Sequence, residues 1–140
     1  MEIREILFRG KRETDGEWIF GSLVKKINSA YIICEKIVGC VVDYTEYEVD
    51  PETVCQYTGL TDKNGRKIFE GDILKRVLLP TKRIENNFRI AFVPVKSCFS
   101  AIDLDGSNVT FISDYINRNF EIEIVGNIFD NPELIGGDVE

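Results

Sequence analysis

Cys55-Gln56-Tyr57-Thr58-Gly59-Leu60-Thr61-Asp62-Lys63-Asn64-Gly65-Arg66-Lys67-Ile68-Phe69-Glu70-Gly71-Asp72-Ile73-Leu74 reads as a hairpin followed by the mouth of a further strand. Asn64-Gly65 is the strongest short-range hairpin signal. Asp62, two residues earlier, has the short acceptor side chain that hydrogen-bonds a turn's own backbone. Gly59 and Gly71 stand where the chain must bend tightly or approach another backbone. Asp72, just ahead of Ile73-Leu74, is placed to accept from backbone N–H groups where a strand begins.

Working outward, strand signals dominate. Arg4-Glu5-Ile6-Leu7-Phe8-Arg9 is a short apolar segment, and Glu13-Thr14-Asp15-Gly16 is a turn from which Trp18 to Val24 returns. Ala30 to Cys34 and Lys36 to Val42 are rich in Ile and Val and short enough to be two strands. Phe88, Ile90 and Phe92 share one side of a later segment. Ile102 and Leu104 alternate with Asp103 and Asp105, Asp105-Gly106 turns, and half-buried Val109 and Phe111 complete a hairpin over 98–112. Ile122 and Ile124 alternate with Glu121 and Glu123 in a last strand running towards Ile128. Helix is scarce: Ser113 would cap a short turn over 113–118, and Pro132 opens another at 131–134. Eight or nine short strands, with no Gly/Ser/Pro-rich linker and no repeat, predict a mainly β chain. The expected architecture is a compact antiparallel small barrel or sandwich over 1–140, with one or two short helical turns.

The chain has 140 residues, a net charge of −7, 44% hydrophobic residues and no His. That balance excludes a disordered chain and supports a core without staples. No apolar run approaches the ~20 residues of a membrane span, and no leader-like segment opens the chain, so a cytoplasmic protein is expected. The absence of His removes Ser-His-Asp and Cys-His catalysis and all imidazole metal sites. Cys34, Cys40, Cys55 and Cys98 form no C-x-x-C knuckle and lie in apolar surroundings, so buried free thiols are expected. Charge falls in three blocks. Residues 1–61 carry seven basic against eleven acidic side chains, 62–100 nine against four, and 101–140 one against nine. Interleaving of these blocks in three dimensions is the expected arrangement.

A second segment stands beside the first: Ile124-Val125-Gly126-Asn127-Ile128-Phe129-Asp130-Asn131-Pro132-Glu133-Leu134. Together the two resemble the YopX family of phage and prophage proteins. Its signature looks like Q-Y-T-G-L-x-D-x-N-G-x-x-I-(Y/F)-E-G-D-I, matched from Gln56 to Ile73, and V-I-G-N-I-(Y/F)-(E/D)-N-P-E-L, matched from Val125 to Leu134. An opening R-x-I-x-F-R resembles Arg4 to Arg9, so the likeness runs the length of the chain. It implies a small, mostly β protein of a phage or prophage in a bacterial host, and brings no assigned enzymatic activity. Gln56, Tyr57, Thr58, Gly59, Leu60, Asp62, Asn64, Gly65, Glu70, Gly71, Asp72, Gly126, Asn127, Asn131 and Pro132 are then read as fold-specifying turn residues.

Three functions compete. A divalent-metal hydrolase would draw on Asp62, Glu70 and Asp72, but their spacing does not fit the EF-hand loop and no further acid or nucleophile is evident near them. A nucleic-acid-binding small β-barrel would use the basic segment 62–96: Lys63, Arg66, Lys67, Lys75, Arg76, Lys82, Arg83, Arg89 and Lys96, with Phe69, Phe88 and Phe92 interleaved for stacking. Against it stands a pI near 4.7. The reading preferred is a non-catalytic accessory protein that binds a host or phage protein, or itself through exposed strand edges. Its acidic last third would complement a basic partner surface. No catalytic, cofactor or metal residue is assigned, and no membrane partner is expected.

Overall fold

The computed structural model describes residues 3–135. The chain divides into two compact units, residues 1–59 and 60–140.

In the first unit, β1 (Phe8–Lys11), β2 (Trp18–Lys25), β3 (Ala30–Val38), β4 (Val41–Val49) and most of β5 (Cys55–Thr61) form an antiparallel sheet in the order β4-β3-β2-β1-β5. The turn at 12–17 closes as expected. Gly16 donates to the Arg12 carbonyl at 2.8 Å, and Asp15 Oδ1 accepts from the Glu17 N–H at 3.0 Å. Alternation puts Ala30, Ile32 and Val49 into a core against Phe8, Ile19, Leu23, Cys34 and Val54. A 3-10 turn at Pro51–Thr53 follows β4, capped by Asp50, whose Oδ1 accepts from the Glu52 N–H at 3.0 Å.

The expectation of separate strands at 30–34 and 36–42 is corrected. β3 runs unbroken to Val38, the chain reverses at Gly39-Cys40, and β4 returns for nine residues. Ile37, Val38, Val41 and Val42 are apolar on both faces of this ribbon, which erases the period-2 signal that would have marked the turn.

In the second unit, β6 (Lys67–Phe69) folds back beside the end of β5. β7 (Asp72–Leu78), β9 (Phe88–Val93), β10 (Cys98–Asp103), β11 (Val109–Phe111) and β12 (Phe120–Asn127) follow in the order β11-β10-β9-β7-β12, with the two-residue β8 (Arg83–Ile84) against β7. Ile68, Leu74, Phe88, Ile90, Ala101, Ile122 and Ile124 make the core. Tyr115 packs edge-on to Phe88 at 5.0 Å.

The chain is thus mainly β and antiparallel, with twelve strands among the described residues and no closed barrel. Several local readings change. Phe92 is exposed, unlike Phe88 and Ile90, and Val109 and Phe111 are exposed rather than half-buried. β10 ends at Asp103, before Leu104. The helical turn lies at Ile112–Tyr115 (α1), where Ser113 is inside the turn and no side chain caps it. The 3-10 turn at Pro132–Ile135 falls where the proline placed it. All four thiols are free. Cys55 is buried and Cys34 and Cys98 half-buried, whereas Cys40 is exposed on the β3–β4 turn. Burial pushes the Cys34 thiol up from its ordinary pKa, so it is no activated nucleophile. Among the described residues no helix is long and apolar enough to cross a membrane.

Candidate functional site

In the first unit the opening of the central motif is strand. Cys55 and Gln56 pair with Arg9 and Phe8, the Tyr57 N–H donates to the Leu7 carbonyl at 2.8 Å, and Tyr57 is buried. Thr58 is half-buried.

In the second unit the rest of the motif, from Leu60 on, meets the C-terminal one. Leu60 is exposed, and the chain turns at 62–66, where Gly65 has φ +80° and donates to the Asp62 carbonyl at 3.0 Å. The Asp62 carboxylate is buried. Its Oδ1 accepts from the N–H groups of Asn64 and Arg66, both at 2.9 Å, and its Oδ2 accepts from the Ile124 N–H at 3.1 Å. Two further bonds fix the same edge. Lys63 N–H donates to the Ile122 carbonyl at 2.9 Å, and Arg66 Nη1 donates to the Ile124 carbonyl at 3.4 Å. β12 is the last strand of its sheet and carries a bulge between Ile124 and Gly126. The turn therefore satisfies the outward backbone groups of an edge strand where its ladder is irregular. Burial works to raise the Asp62 pKa, but hydrogen bonds from Ile124, Arg66 and Asn64, with the Arg66 charge, outweigh it and hold it below its ordinary value.

A second junction forms at Gly71, with φ +83°. Its N–H donates to the Ile90 carbonyl at 2.7 Å, and its carbonyl accepts from Ile128 at 2.9 Å. Beside it half-buried Glu70 precedes buried Asp72, whose Oδ2 accepts from the Phe69 N–H at 2.8 Å and whose backbone pairs with Asn127. Asn127 Oδ1 accepts from the N–H groups of Phe129 and Asp130, and Asn131 Oδ1 accepts from the Asn127 N–H at 3.1 Å. Pro132 then opens the 3-10 turn. A Cβ on Gly126 would lie 2.5 Å from Asn131 Oδ1 and 3.0 Å from Leu134 Cδ1. Gly126→Ala is therefore expected to dislodge the Asn131 side chain from the Asn127 N–H and cost about 1–2 kcal/mol in urea denaturation. An unchanged midpoint would show that Asn131 does not hold this turn.

Both Asp62 oxygens and Asp72 Oδ2 thus accept from backbone donors. Among the described residues no three His, Cys, Asp or Glu side chains are grouped to hold a metal ion, and Asp62, Glu70 and Asp72 do not converge. The basic segment is also largely engaged. Lys63 and Lys75 lie 3.8 and 3.3 Å from Glu123, Lys82 lies 3.8 Å from Glu121, and Arg83 hydrogen-bonds Glu85 at 2.9 Å. The Arg76 guanidinium is over the Tyr115 ring at 3.9 Å and the Phe120 ring at 4.6 Å. Lys67 is exposed, Arg89 is half-buried, and exposed Lys96 lies over the Phe111 ring. Phe69 and Phe88 are core residues, which leaves Phe92 as the exposed aromatic of the three. The β7–β12 pairing sets Lys75 opposite Glu123, so the basic and acidic blocks interleave as expected. Two acids of the last block, Asp138 and Glu140, lie outside the described residues.

The residues that sequence reasoning missed are on the β3–β4 ribbon of the first unit. Ile37 (76% exposed), Val38, Val41 (65%), Val42 and Tyr44 (62%) present large apolar side chains to solvent on adjacent positions of two paired strands. The available signal was Gly39, which marks a reversal inside an apolar run.

The YopX protein family matches over residues 7–136. The chain belongs to the YopX family. The crystal structure of protein EF1440 from Enterococcus faecalis is similar, with a TM-score of 0.57 and 25% identity over 94% of this chain and 98% of that one. Among curated proteins no match is found. The family match spans both motif segments, the resemblance read from Gln56–Ile73 and Val125–Leu134.

Proposed function

We propose that this YopX-family chain is a non-catalytic accessory protein of a phage or prophage, working in the cytoplasm of the bacterial host by binding protein through the β3–β4 ribbon. One observation carries the reading: five large apolar side chains stand exposed at one end of the ribbon, Ile37, Val42 and Tyr44 on one face and Val38 and Val41 on the other. Isolated apolar residues on a surface need no explanation, whereas neighbouring ones on both faces of one ribbon end mark it as an interaction site. The Asp62, Asn127 and Asn131 side chains favour the same conclusion by contrast, because their oxygens are occupied in holding turns.

The test is affinity purification of the tagged protein from host cells, with and without nuclease, beside a Val41→Glu/Val42→Glu variant. Both valines are exposed, so the substitutions leave the core of Ala30, Ile32 and Val49 intact. Protein partners that persist after nuclease and are lost in the variant are the expected result. Partners lost with nuclease, or nucleic acid recovered with the protein, would move the function to the basic segment 62–96.

A further inference from the structure

β4 is the last strand in its sheet order, so one edge of it has no neighbouring strand among the described residues. The two-residue reversal at Gly39-Cys40 makes Val38↔Val41 a hydrogen-bonded pair, and the pairing runs from there to Ala30↔Val49 without a register shift. Alternation then turns the N–H and C=O groups of Val42, Tyr44, Glu46 and Glu48 away from β3. The Tyr44 N–H bonds Asp43 Oδ1 at 3.1 Å, and no backbone group of the described residues pairs with the others.

The side chains along this edge are of one sign. β4 carries Asp43, Glu46 and Glu48 and no Lys or Arg. All three acids are exposed, and none is in an ion pair among the described residues. Glu46 and Glu48 share a face with Val42 and Tyr44, and the β3 residue across from Tyr44 is a further acid, Glu35. The β3 cation, Lys36, is across from Asp43 on the other face. Lys26 Nζ lies 4.4 Å over the ring of Tyr31, the cross-strand partner of Glu48, and makes no ion pair with that acid. The outward row thus passes from apolar at Val42 and Tyr44 to acidic at Glu46 and Glu48.

Resting on the reading of the ribbon as a protein-binding element, we infer that it takes up a basic, extended segment of a partner protein, added antiparallel to the free edge of β4. Every pairing in this sheet is antiparallel, and antiparallel ladders are the more stable per residue. In such strand addition, main-chain bonds supply affinity and alternate side chains supply selectivity. Read from its N-terminus, the segment meets Glu48, Glu46, Tyr44 and Val42 at every second residue. It therefore carries Lys or Arg at two alternate positions and large apolar residues at the next two, since opposite charges directly across a pair stabilise it. A second copy of β4 would bring three more acids to the seam, so the charge that accepts a basic strand disfavours self-pairing. The acids also make the edge selective where it has no Lys, Pro or bulge to guard it.

The probe is the labelled peptide Lys-Thr-Lys-Thr-Val-Thr-Val, blocked at both ends and titrated with the full chain by fluorescence anisotropy. Binding is expected with a Kd on the order of 10–100 μM, as suits one added strand. Lys-Lys-Thr-Thr-Val-Val-Thr has the same composition without the alternation and is expected to bind about tenfold more weakly or less. Glu46→Lys/Glu48→Lys is expected to lose the first peptide by a similar factor and to gain Glu-Thr-Glu-Thr-Val-Thr-Val, an exchange of preference that a misfolded variant cannot produce. Amide exchange at Val42, Glu46 and Glu48 is expected to slow when the first peptide binds. Equal affinity for the two Lys peptides overturns the inference, as does a charge-reversed variant that fails to exchange its preference. If no peptide binds yet Val41→Glu/Val42→Glu still loses its captured proteins, the basic strand falls and the ribbon reading stands. If the first peptide binds as expected and that variant keeps its captured proteins, the edge site stands and docking through the apolar end falls.

Discussion

Replacing Gly21 by Ala is expected to cost about 3–5 kcal/mol, more than the same change at Gly10 or Gly126, the other glycines where a Cβ would meet a neighbour under 3.0 Å. Gly21 lies in β2, one residue from Ser22, which pairs with Ile33 of β3. A Cβ at Gly21 would stand 2.1 Å from the Ile33 carbonyl oxygen and 2.9 Å from its carbonyl carbon. Backbone in a ladder cannot swing aside as a side chain does, so β2 and β3 must separate and lose pairing beside Ile32, a fully buried core residue. Such a loss is a large share of the about 5–15 kcal/mol that holds a domain together, and lowers Tm by roughly 10 °C or more. Gly39→Ala supplies the comparison. Gly39 has φ +65°, and its Cβ would meet nothing within 4 Å. The cost there is left-handed strain alone, about 1 kcal/mol. Urea denaturation of both variants reads the difference, and equal midpoints would refute the steric argument.

The contrast shows what a sequence carries. Gly39 belongs to a turn, and turn chemistry is local: Asp62 with Gly65, Asp15 with Gly16, Asp105 with Gly106 and Asn131 with Pro132 all turned where their side chains and backbone freedom predicted. Strands with one buried face were equally legible, as Phe88 and Ile90 or Ile122 and Ile124 show. Gly21 gave no such signal, because the close approach that demands it comes from β3, brought alongside only by the sheet. The β3–β4 ribbon was misread for a related reason. Apolar on both faces near its reversal, it has no period there. The charge blocks were visible as +5 and −8, but their cancellation needed the pairing of Lys75 with Glu123, residues 48 positions apart. In the candidate site the role of Asp62 as a turn acceptor was legible. Its bond to Ile124, across 62 positions, was not.

That long bond makes Asp62 the other position of large effect. Asp62→Ala is expected to cost about 3–5 kcal/mol, because three backbone N–H groups lose their acceptor, and the Ile124 N–H, on the outer side of an edge strand paired only with β7 among the described residues, has no further strand there to replace it. Asp62→Asn keeps the volume and separates the contributions. Its amide oxygen still receives Asn64 and Arg66, but its NH2 then faces the Ile124 N–H, donor against donor, for a cost of about 2–3 kcal/mol. Amide hydrogen exchange should localise the damage, with Ile124 losing protection in Asn while the 62–66 turn keeps most of its own. The acid limb of the stability curve gives an independent reading. The folded pKa of Asp62 lies below its ordinary value of 3.8. Its charged form therefore stabilises the fold fully above about pH 4, and that contribution is lost as pH falls through the folded pKa. Wild type should accordingly outlast Asp62→Asn most at neutral pH, and the two curves should draw together in acid. Parallel curves down to pH 2 would mean that the ionised carboxylate contributes nothing beyond its shape. The turn would then be held on β12 by the Lys63–Ile122 and Arg66–Ile124 bonds.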